Sequence, residues 1–389
     1  MSTTMDRRRL LKKGLLMAGG LSIAPALLNR LSAGPANTCY AGDYVSDLAA
    51  ITGAPVELKA RLFANENPFG PSPKAKQAIQ DALAQSYQYP FMFAKDLIQK
   101  IADTEGLSPD NLIMGAGSSE LLLAAAILFS QKPGSNIISG DPSYEDLPSK
   151  AALLKTTWRK VPLTADYKLD LDAMEKAIDG NTSMVYVCNP NNPTATVLEI
   201  EKLKAFCDRV SARVPVFVDE AYIDYLDDPK ANTMIGAIKA GKNIIVARTF
   251  SKLHGFAGLR VGYAFAQPAM IQQLSLYTTD FMAITATSMH AAMASYQDTA
   301  FLKETLQKTN VSKNFLYSVL KKEGYDYIPS FANFVLFPVK MDSKKFVEEM
   351  GKRGVGVRFW QFNNKEWCRV SIGRMDEMEA FAAAFKEIS

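Results

Sequence analysis

Lys252 stands at a position where the sequence predicts burial. It follows the apolar run N-I-I-V-A-R-T-F and precedes the glycine-rich segment L-H-G-F-A-G-L-R-V-G. Burial lowers the proton affinity of an amine, and an amine that is partly neutral can attack a carbonyl carbon to form a Schiff base. Arg260, in the same glycine-rich segment, could supply a fixed contact to an anion. The alternative is a lysine whose ammonium group reaches solvent along its apolar stem.

Three further polar segments each follow an apolar run. Asp219 ends the run V-F-V-D, so it either needs a cationic or donor partner or caps a following helix. Asn192 lies in N-P-N-N-P-T, a rigid turn that can present a side-chain amide or can be a plain loop. In G-A-G-S-S-E, the glycines and the start of a helix could bind an anion, with Ser118 and Ser119 as donors. Serine followed by glutamate is also an ordinary helix start.

These residues fall at the ends of strand-like segments. The segments are N-L-I-M-G-A, N-I-I-S-G, S-M-V-Y-V-C, V-P-V-F-V-D and N-I-I-V-A-R-T. Stretches with apolar residues at helical spacing separate them, which predicts an α/β fold with a mostly parallel sheet covered on both faces. Because the carboxyl ends of such strands border the ligand crevice, we expect the polar residues to share one crevice.

The pattern changes near residue 290. A long helical region is followed by V-L-F-P-V, G-V-G-V-R-F and W-C-R-V-S-I, and then by a closing helix. This order predicts a second, smaller α+β domain. The four cysteines of the chain form no CxxC pair and show no metal-like spacing, so no metal site is expected.

The charge distribution separates the N-terminal segment from the rest of the chain. The formal net charge is +4 over 389 residues, yet residues 1–36 contain six basic residues and one acidic residue, a net +5. The remainder therefore carries −1, which argues against a broad basic surface for nucleic acid.

The N-terminal segment resembles a twin-arginine export signal. Arg7 and Arg8 precede an apolar run interrupted by glycine, alanine and proline, and small residues follow in S-A-G-P-A. This pattern predicts export to the periplasm or beyond, with no stable membrane insertion after cleavage. The apolar run is too short and too rich in glycine for a membrane span. The alternatives are a short anchor or a disordered basic arm on a cytoplasmic protein.

Eight motifs together resemble one enzyme family. In order along the chain they are N-E-N-P-F-G-P-S-P, Y-P, G-S-S-E, D-P-S-Y, N-P-N-N-P-T, D-E-A-Y, S-K…A-G-L-R-V-G-Y and R-V-S-I-G. The set resembles the class I/II aminotransferases, which are fold-type I enzymes dependent on pyridoxal 5′-phosphate. It is most similar to their histidinol-phosphate aminotransferase branch, and the resemblance extends from about residue 58 to the C-terminus.

The resemblance implies a role for each matching residue. Lys252 would form the Schiff base with the cofactor and move the proton at the substrate α-carbon. Asp219 would hold the pyridine nitrogen protonated. Arg369 would bind the carboxylate of the substrate, and Arg358 would bind the phosphate of a phosphorylated substrate. The implied cofactor contacts are Ser118, Ser119, Tyr144, Asn192, Asp219, Tyr222, Ser251, Lys252, Arg260 and, from the partner subunit of a homodimer, Tyr89.

The implied domains are an export segment at 1–36, an arm at 37–66 that joins the small domain, a large cofactor-binding domain at 67–288 and a small domain at 289–389. The implied reaction moves an amino group from an amino acid or a histidinol-phosphate-like donor to a 2-oxo acid. The alternatives are a decarboxylase of a phosphorylated amino acid on the same scaffold, or a non-catalytic protein that binds the cofactor or a metabolite.

Two positions depart from the family pattern. Ala195 replaces the glycine that usually follows N-P-T, which tightens that turn and could shift Asn192. Phe359 and Trp360 follow Arg358 where polar residues are expected. An aromatic amino acid is therefore a second candidate for the donor.

Overall fold

The computed structural model describes residues 58–389. The predicted export segment at 1–36 and the arm as far as residue 57 lie outside the described residues. Within the described range, no helix combines the length and the apolar character that a membrane span requires.

The strands are numbered along the chain. They are β1 Ala60–Arg61, β2 Leu112–Gly115, β3 Asn136–Asp141, β4 Thr157–Pro162, β5 Thr182–Cys188, β6 Val216–Asp219, β7 Ile244–Thr249, β8 Gly262–Phe265, β9 Phe334–Pro338, β10 Val355–Gly356, β11 Arg358–Phe362 and β12 Lys365–Ser371. Seven of them, from β2 to β8, form the large sheet.

The α-helices are numbered in the same way. They are α1 Pro73–Ala82, α2 Phe91–Glu105, α3 Ser118–Phe129, α4 Asp146–Leu153, α5 Leu171–Lys176, α6 Ile200–Val210, α7 Pro229–Asn232, α8 Ile235–Lys239, α9 Pro268–Ser275, α10 Ala286–Gln297, α11 Thr299–Lys322, α12 Ser343–Lys352 and α13 Met375–Lys386.

The large sheet has the strand order β2-β8-β7-β6-β5-β3-β4. The pairs among β3, β4, β5, β6 and β7 are parallel, whereas β8 runs antiparallel to both β2 and β7. The prediction of a mostly parallel sheet in an α/β fold is confirmed. The apolar pattern of the sequence does not predict β4 or β8, because β4 is a largely polar edge strand and β8 is a short strand directly after the glycine-rich segment.

Both faces of the large sheet are covered by helices. Alternate residues of β6 point to opposite faces, so Val216 and Val218 pack in one apolar core and Phe217 packs in the other. The first core also contains residues of α1, α2, α6 and α10, and the second contains residues of α3, α4 and α9. A strand that is buried on both sides explains the continuous apolar runs in the sequence.

A smaller antiparallel sheet has the order β11-β12-β9, which confirms the smaller α+β element of the fold. Phe337 of this sheet contacts Phe346 of α12 and Phe385 of α13, with ring centroids 6.1 and 5.6 Å apart. Near the start of the described range, β1 pairs in parallel with β10, and Ala60 lies opposite Val355. The exact domain boundaries stay predictions.

Candidate active site

The carboxyl ends of neighbouring strands lie at one edge of the large sheet. Asp219, at the end of β6, pairs with Ala247 of β7. Thr249 and Gly115 both pair with Gly262 of β8, which brings the end of β2 to the same edge. The polar segments that follow these strands are therefore neighbours in space, as the alternating sequence pattern predicts.

The amine of Lys252 lies in the crevice at this edge. Its Nζ atom donates to the carbonyl oxygen of Asn65 at 3.4 Å and lies 5.4 Å from the ring centroid of Tyr222. Burial lowers the pKa of Lys252 to about 8, and the positive charge of Arg369 acts in the same direction. The negative charge of Asp219 opposes this shift. A usable fraction of the amine is therefore uncharged near neutral pH.

Asp219 is a buried carboxylate with two donors. The hydroxyl of Tyr186 donates to its Oδ2 atom at 2.8 Å, and the backbone amide of Ala221 donates to its Oδ1 atom at 3.1 Å. Burial raises the pKa of Asp219 to about 6, whereas these two hydrogen bonds and the charge of Lys252 act in the opposite direction. Such a carboxylate suits a ligand that carries a proton on a ring nitrogen.

Arg369 is 2% exposed and lacks a carboxylate partner among the described residues. Its Nη1 atom donates to Oδ1 of Asn192 and its Nη2 atom donates to the carbonyl oxygen of Phe63, both at 2.7 Å. Its Nε atom is buried and has no hydrogen-bond acceptor. Burial lowers the pKa of Arg369 to about 9, and the positive charge of Arg358 adds to that effect. A buried guanidinium with an unused donor suits an anionic ligand.

Arg260 lies at the same edge of the sheet, just before β8 and beside the start of α3. Its Nη1 atom donates to Oγ of Ser251 and its Nη2 atom donates to the carbonyl oxygen of Ala116, both at 3.3 Å. A Cβ atom added at Gly117 would lie 2.2 Å from Nη2 of Arg260, so only glycine leaves room for the guanidinium here. The φ angle of Gly117 is +76°, which also favours glycine.

Ser118 and Ser119 are the first two residues of α3. The first amides of a helix lack an intrahelical acceptor and attract anions. A Cβ atom added at Gly262 would lie 2.3 Å from the backbone nitrogen of Ser118, so the strand and the helix start approach closely. Together with the guanidinium of Arg260, this helix start fits the phosphate group of the expected cofactor.

Tyr222 is buried and belongs to a hydrogen-bonded network whose other members were not predicted as site residues. Nδ2 of Asn65 donates to the Tyr222 hydroxyl at 3.0 Å, and Oγ of Ser371 donates to Oδ1 of Asn65 at 3.0 Å. Nδ2 of Asn333 donates to the Asn65 carbonyl oxygen at 3.0 Å. Asn65 and Ser371 both lie inside motifs that were identified, N-E-N-P-F-G and R-V-S-I-G, so the signal for them was present.

Arg358 and Tyr144 approach the crevice from different elements. The guanidinium of Arg358 lies 5.9 Å from the ring centroid of Trp360, and its charge acts on Arg369 and on Glu145. Burial raises the pKa of Tyr144, and the charge of Asp219 is among the further causes. Burial also raises the pKa of Glu145 to about 7. Glu145 was not predicted as a site residue, because one glutamate at a helix start is an ordinary feature.

Tyr89 is the predicted site residue that the single chain does not bring to the crevice. Its side chain is 73% exposed and contacts Phe91, with ring centroids 5.8 Å apart. Phe91 in turn contacts Phe281 at 6.1 Å, which extends the exposed aromatic surface.

Ala195 adopts a left-handed backbone conformation, with φ at +57°. Its amide donates to the carbonyl oxygen of Asn191 at 2.7 Å, and its own carbonyl oxygen accepts from the amide of Phe331 at 2.8 Å. A non-glycine residue in this conformation costs roughly 1–2 kcal/mol. The turn accepts the alanine, and Asn192 still reaches Arg369.

Cys188, Cys207 and Cys368 are buried free thiols. Across residues 58–389, no group of His, Cys, Asp and Glu side chains has the arrangement of a metal site.

Residues 59–385 match the family described as aminotransferase class I and II. A histidinol-phosphate aminotransferase from Halalkalibacterium halodurans is 35% identical over 336 residues, which cover 86% of this chain and 90% of that protein. An aromatic amino acid aminotransferase from Mycolicibacterium vanbaalenii is 34% identical over 338 residues, which cover 87% of this chain and 95% of that protein.

A similar solved structure contains the expected cofactor. The crystal structure of a histidinol-phosphate aminotransferase from Sinorhizobium meliloti in complex with pyridoxal-5′-phosphate has a TM-score of 0.82. It is 27% identical in sequence, and the alignment covers 92% of this chain and 98% of that one.

Proposed function

This chain belongs to the aminotransferase class I and II family and is a pyridoxal phosphate-dependent transaminase. From this we propose the role of each site residue and the substrates that the site binds. Pyridoxal phosphate supplies an electron-withdrawing ring that stabilises negative charge at the substrate α-carbon. Lys252 would hold the cofactor through Nζ, which would replace the aldehyde oxygen with release of water, and would move the proton at the substrate α-carbon.

Asp219 would accept a hydrogen bond from the protonated ring nitrogen, since a buried carboxylate needs a cationic partner. Tyr222 and Asn192 would hold the ring hydroxyl, and Tyr144 would hold the ring face. Ser118, Ser119, Ser251 and Arg260 would hold the phosphate group at the start of α3. Arg369 binds the substrate carboxylate through the side of its guanidinium that carries the unused Nε donor.

One observation carries this assignment. The buried amine of Lys252, whose pKa is lowered to about 8, lies within electrostatic reach of both Asp219 and Arg369. A nucleophilic amine, a partner for a ring nitrogen and a carboxylate-binding cation are thus gathered in one crevice. Amino-group transfer uses all three groups.

Transfer to a 2-oxo acid tests the assignment. Lys252→Ala should abolish turnover, and borohydride reduction of the native protein should attach the cofactor to the peptide that contains residue 252. Lys204→Ala, which removes an exposed lysine paired with Glu201, is the matched control and should keep full activity. Normal transamination by Lys252→Ala would overturn the role of Lys252.

The proposed donor carries an aromatic or heteroaromatic side chain, with or without a phosphate group. The relatives named above include enzymes of both kinds, and the charge of Arg358 beside Arg369 supports a second anion-binding group in the crevice. Arg358→Gln should lower kcat/KM about tenfold or more for histidinol phosphate and leave phenylalanine nearly unaffected. Equal losses of kcat/KM for both donors would argue that Arg358 does not bind the phosphate of the donor.

The proposed assembly is a homodimer in which Tyr89 completes the partner's site. The exposed apolar residues around it support this assembly, because contiguous exposed apolar surface is rare on a monomer. They are Tyr87, Tyr89, Phe91, Met92 and Met282. Met92→Glu should produce a monomer in sedimentation experiments and weaken cofactor binding. Leu153→Glu changes an 81% exposed leucine on α4 and should leave the assembly intact. A Met92→Glu dimer would contradict this interface.

The proposed location follows from the twin-arginine pattern at Arg7 and Arg8. Replacing both by lysine should retain the protein in the cytoplasm of a host that has this export route. Arg30→Lys keeps the arginine pair and is the control. Unchanged fractionation of the double variant would rule out this route.

A further inference from the structure

Tyr186 is a buried tyrosine for which the family motifs imply no role. It lies in the middle of β5 and its side chain is fully buried. Its hydroxyl donates to Oδ2 of Asp219 at 2.8 Å. Buried tyrosines usually find one hydrogen-bond partner, and here that partner is the carboxylate assigned to the cofactor ring.

The strand register explains why this hydroxyl reaches Asp219. Tyr186 lies opposite Phe217, and Cys188 lies opposite Asp219, in the parallel pair of β5 and β6. Tyr186 and Cys188 are two residues apart on β5, so their side chains share a face of the sheet. Asp219 lies opposite Cys188 and therefore points to the same side as Tyr186. The ring of Tyr186 packs against Phe217 at a centroid distance of 5.8 Å, which fixes the direction of the phenol.

The two donors on Asp219 restrict the plane of its carboxylate. Oδ2 accepts from Tyr186 and Oδ1 accepts from the amide of Ala221. Each carboxylate oxygen has a second lone pair, so each can still accept one further donor in a direction that the first donor has fixed. A rigid acceptor of this kind is preorganised for a planar ring nitrogen.

We propose that Tyr186 is a positioning residue, whose hydroxyl orients Asp219 and keeps its carboxylate anionic for the ring nitrogen of the cofactor. This inference rests on the proposed role of Asp219. Burial favours the neutral acid, and a donor to the charged form opposes it. The hydroxyl of Tyr186 is the largest influence that holds the pKa of Asp219 down against burial.

Tyr186→Phe removes the hydroxyl and keeps the ring that packs against Phe217. Tyr325→Phe removes a hydroxyl from a buried tyrosine that contacts Phe337 of the smaller sheet, and it is the matched control. The first measurement is the pKa of the Asp219 carboxyl in cofactor-free protein, by NMR of labelled aspartate with Asp219→Asn to assign the signal. Tyr186→Phe should raise this pKa by about one pH unit or more, because a hydrogen bond to the charged form is lost.

The second measurement uses the holoenzyme. Tyr186→Phe should weaken pyridoxal phosphate binding and lower kcat by about tenfold, with a smaller change in KM for the 2-oxo acid. The acidic limb of the pH profile should move to higher pH. A variant in which only packing had changed would lose stability without this shift in pH dependence.

The variant Asp219→Asn distinguishes a wrong inference about Tyr186 from a wrong role for Asp219. If Asp219→Asn binds the cofactor poorly and Tyr186→Phe matches wild type in the carboxyl pKa, cofactor affinity and pH profile, the inference about Tyr186 is wrong. If Asp219→Asn itself keeps normal affinity and turnover, the proposed role of Asp219 fails, and the role of Tyr186 fails with it.

Discussion

Nη1 of Arg369 donates to Oδ1 of Asn192 at 2.7 Å, which joins β12 of the smaller sheet to the loop after β5 of the large sheet. The second terminal nitrogen of Arg369 donates to the carbonyl oxygen of Phe63, also at 2.7 Å. These contacts fix the plane of the guanidinium and leave its Nε atom without an acceptor. The same pair thus connects the two sheets and presents a buried cation to the crevice.

The first prediction concerns this cation. Arg369→Lys should raise KM for the 2-oxo acid by about 100-fold with a smaller effect on kcat, because a lysine cannot bind Asn192, Phe63 and a carboxylate from one plane. Steady-state kinetics with varied acceptor concentration measure this change. Arg374→Lys, which alters an exposed arginine paired with Asp376, should leave KM unchanged. An unaltered KM in Arg369→Lys would remove Arg369 from the substrate site.

The second prediction concerns pH. Lys252 has a pKa of about 8 in the folded cofactor-free protein, below its ordinary value of 10.5, so its reactive neutral form grows as pH rises through 8. The rate of aldehyde capture, trapped by reduction and read by mass spectrometry of the peptide with residue 252, should rise from pH 6 to a plateau near pH 9. A midpoint near 10.5 would mean that the amine is solvated and unperturbed.

The lowered pKa of Lys252 also affects the free energy of unfolding. Between pH 8 and 10.5 the unfolded chain binds more protons at Lys252 than the folded chain does. The contribution of Lys252 to the free energy of unfolding therefore increases with pH across that window and is least favourable below pH 8. Comparing wild type with Lys252→Met by denaturant unfolding of the cofactor-free proteins at pH 7 and pH 10 measures this difference.

The third prediction concerns the phosphate site. Gly117→Ala should weaken pyridoxal phosphate binding by about 30-fold or more, since the new Cβ atom would displace Arg260 from the start of α3. Pyridoxal, which lacks the phosphate, should lose much less affinity. Gly134→Ala has a similar positive φ of +72° but no atom within 4 Å of the added Cβ, so it controls for backbone strain alone. Equal losses for both ligands would locate the phosphate elsewhere.

The fourth prediction concerns a buried ion-pair network behind the site. Nε of Arg248 donates to Oε2 of Glu220 at 3.0 Å, and its Nη1 atom donates to Oε1 of Glu105 at 2.7 Å. Arg248→Met leaves Glu220 buried without its cation and should lower the free energy of unfolding by about 3–5 kcal/mol. Arg209→Met, which breaks an exposed pair with Glu175, should lower the free energy of unfolding far less, because solvent screens that pair. Denaturant unfolding of both variants makes the comparison.

The local sequence determined the alternation of elements in the large sheet. Continuous apolar runs such as V-F-V-D require burial on both faces, and a strand between two helical layers is the arrangement that provides it. The family motifs also located Lys252, Asp219 and Arg369, because each of these residues lies inside a motif to which the resemblance gives a role.

The tertiary structure alone decided which groups meet. Asn65 and Tyr222 are 157 positions apart, and their hydrogen bond depends on the packing of separate elements, which no local periodicity encodes. The edge strand β4 was not predicted because it lacks the run of apolar residues that a buried strand shows.

The tertiary structure also decided the electrostatics of the site. Residue type sets the ordinary pKa of a lysine or an aspartate, but the shifts of Lys252 and Asp219 arise from the amount of protein that replaces water around them and from charges on distant strands. The sequence by itself thus determined the reactive groups and the type of fold that carries them. Their protonation and the donors that orient them, Tyr186 among these, were decided by the folded chain, because desolvation and hydrogen-bond geometry exist only once the strands are packed.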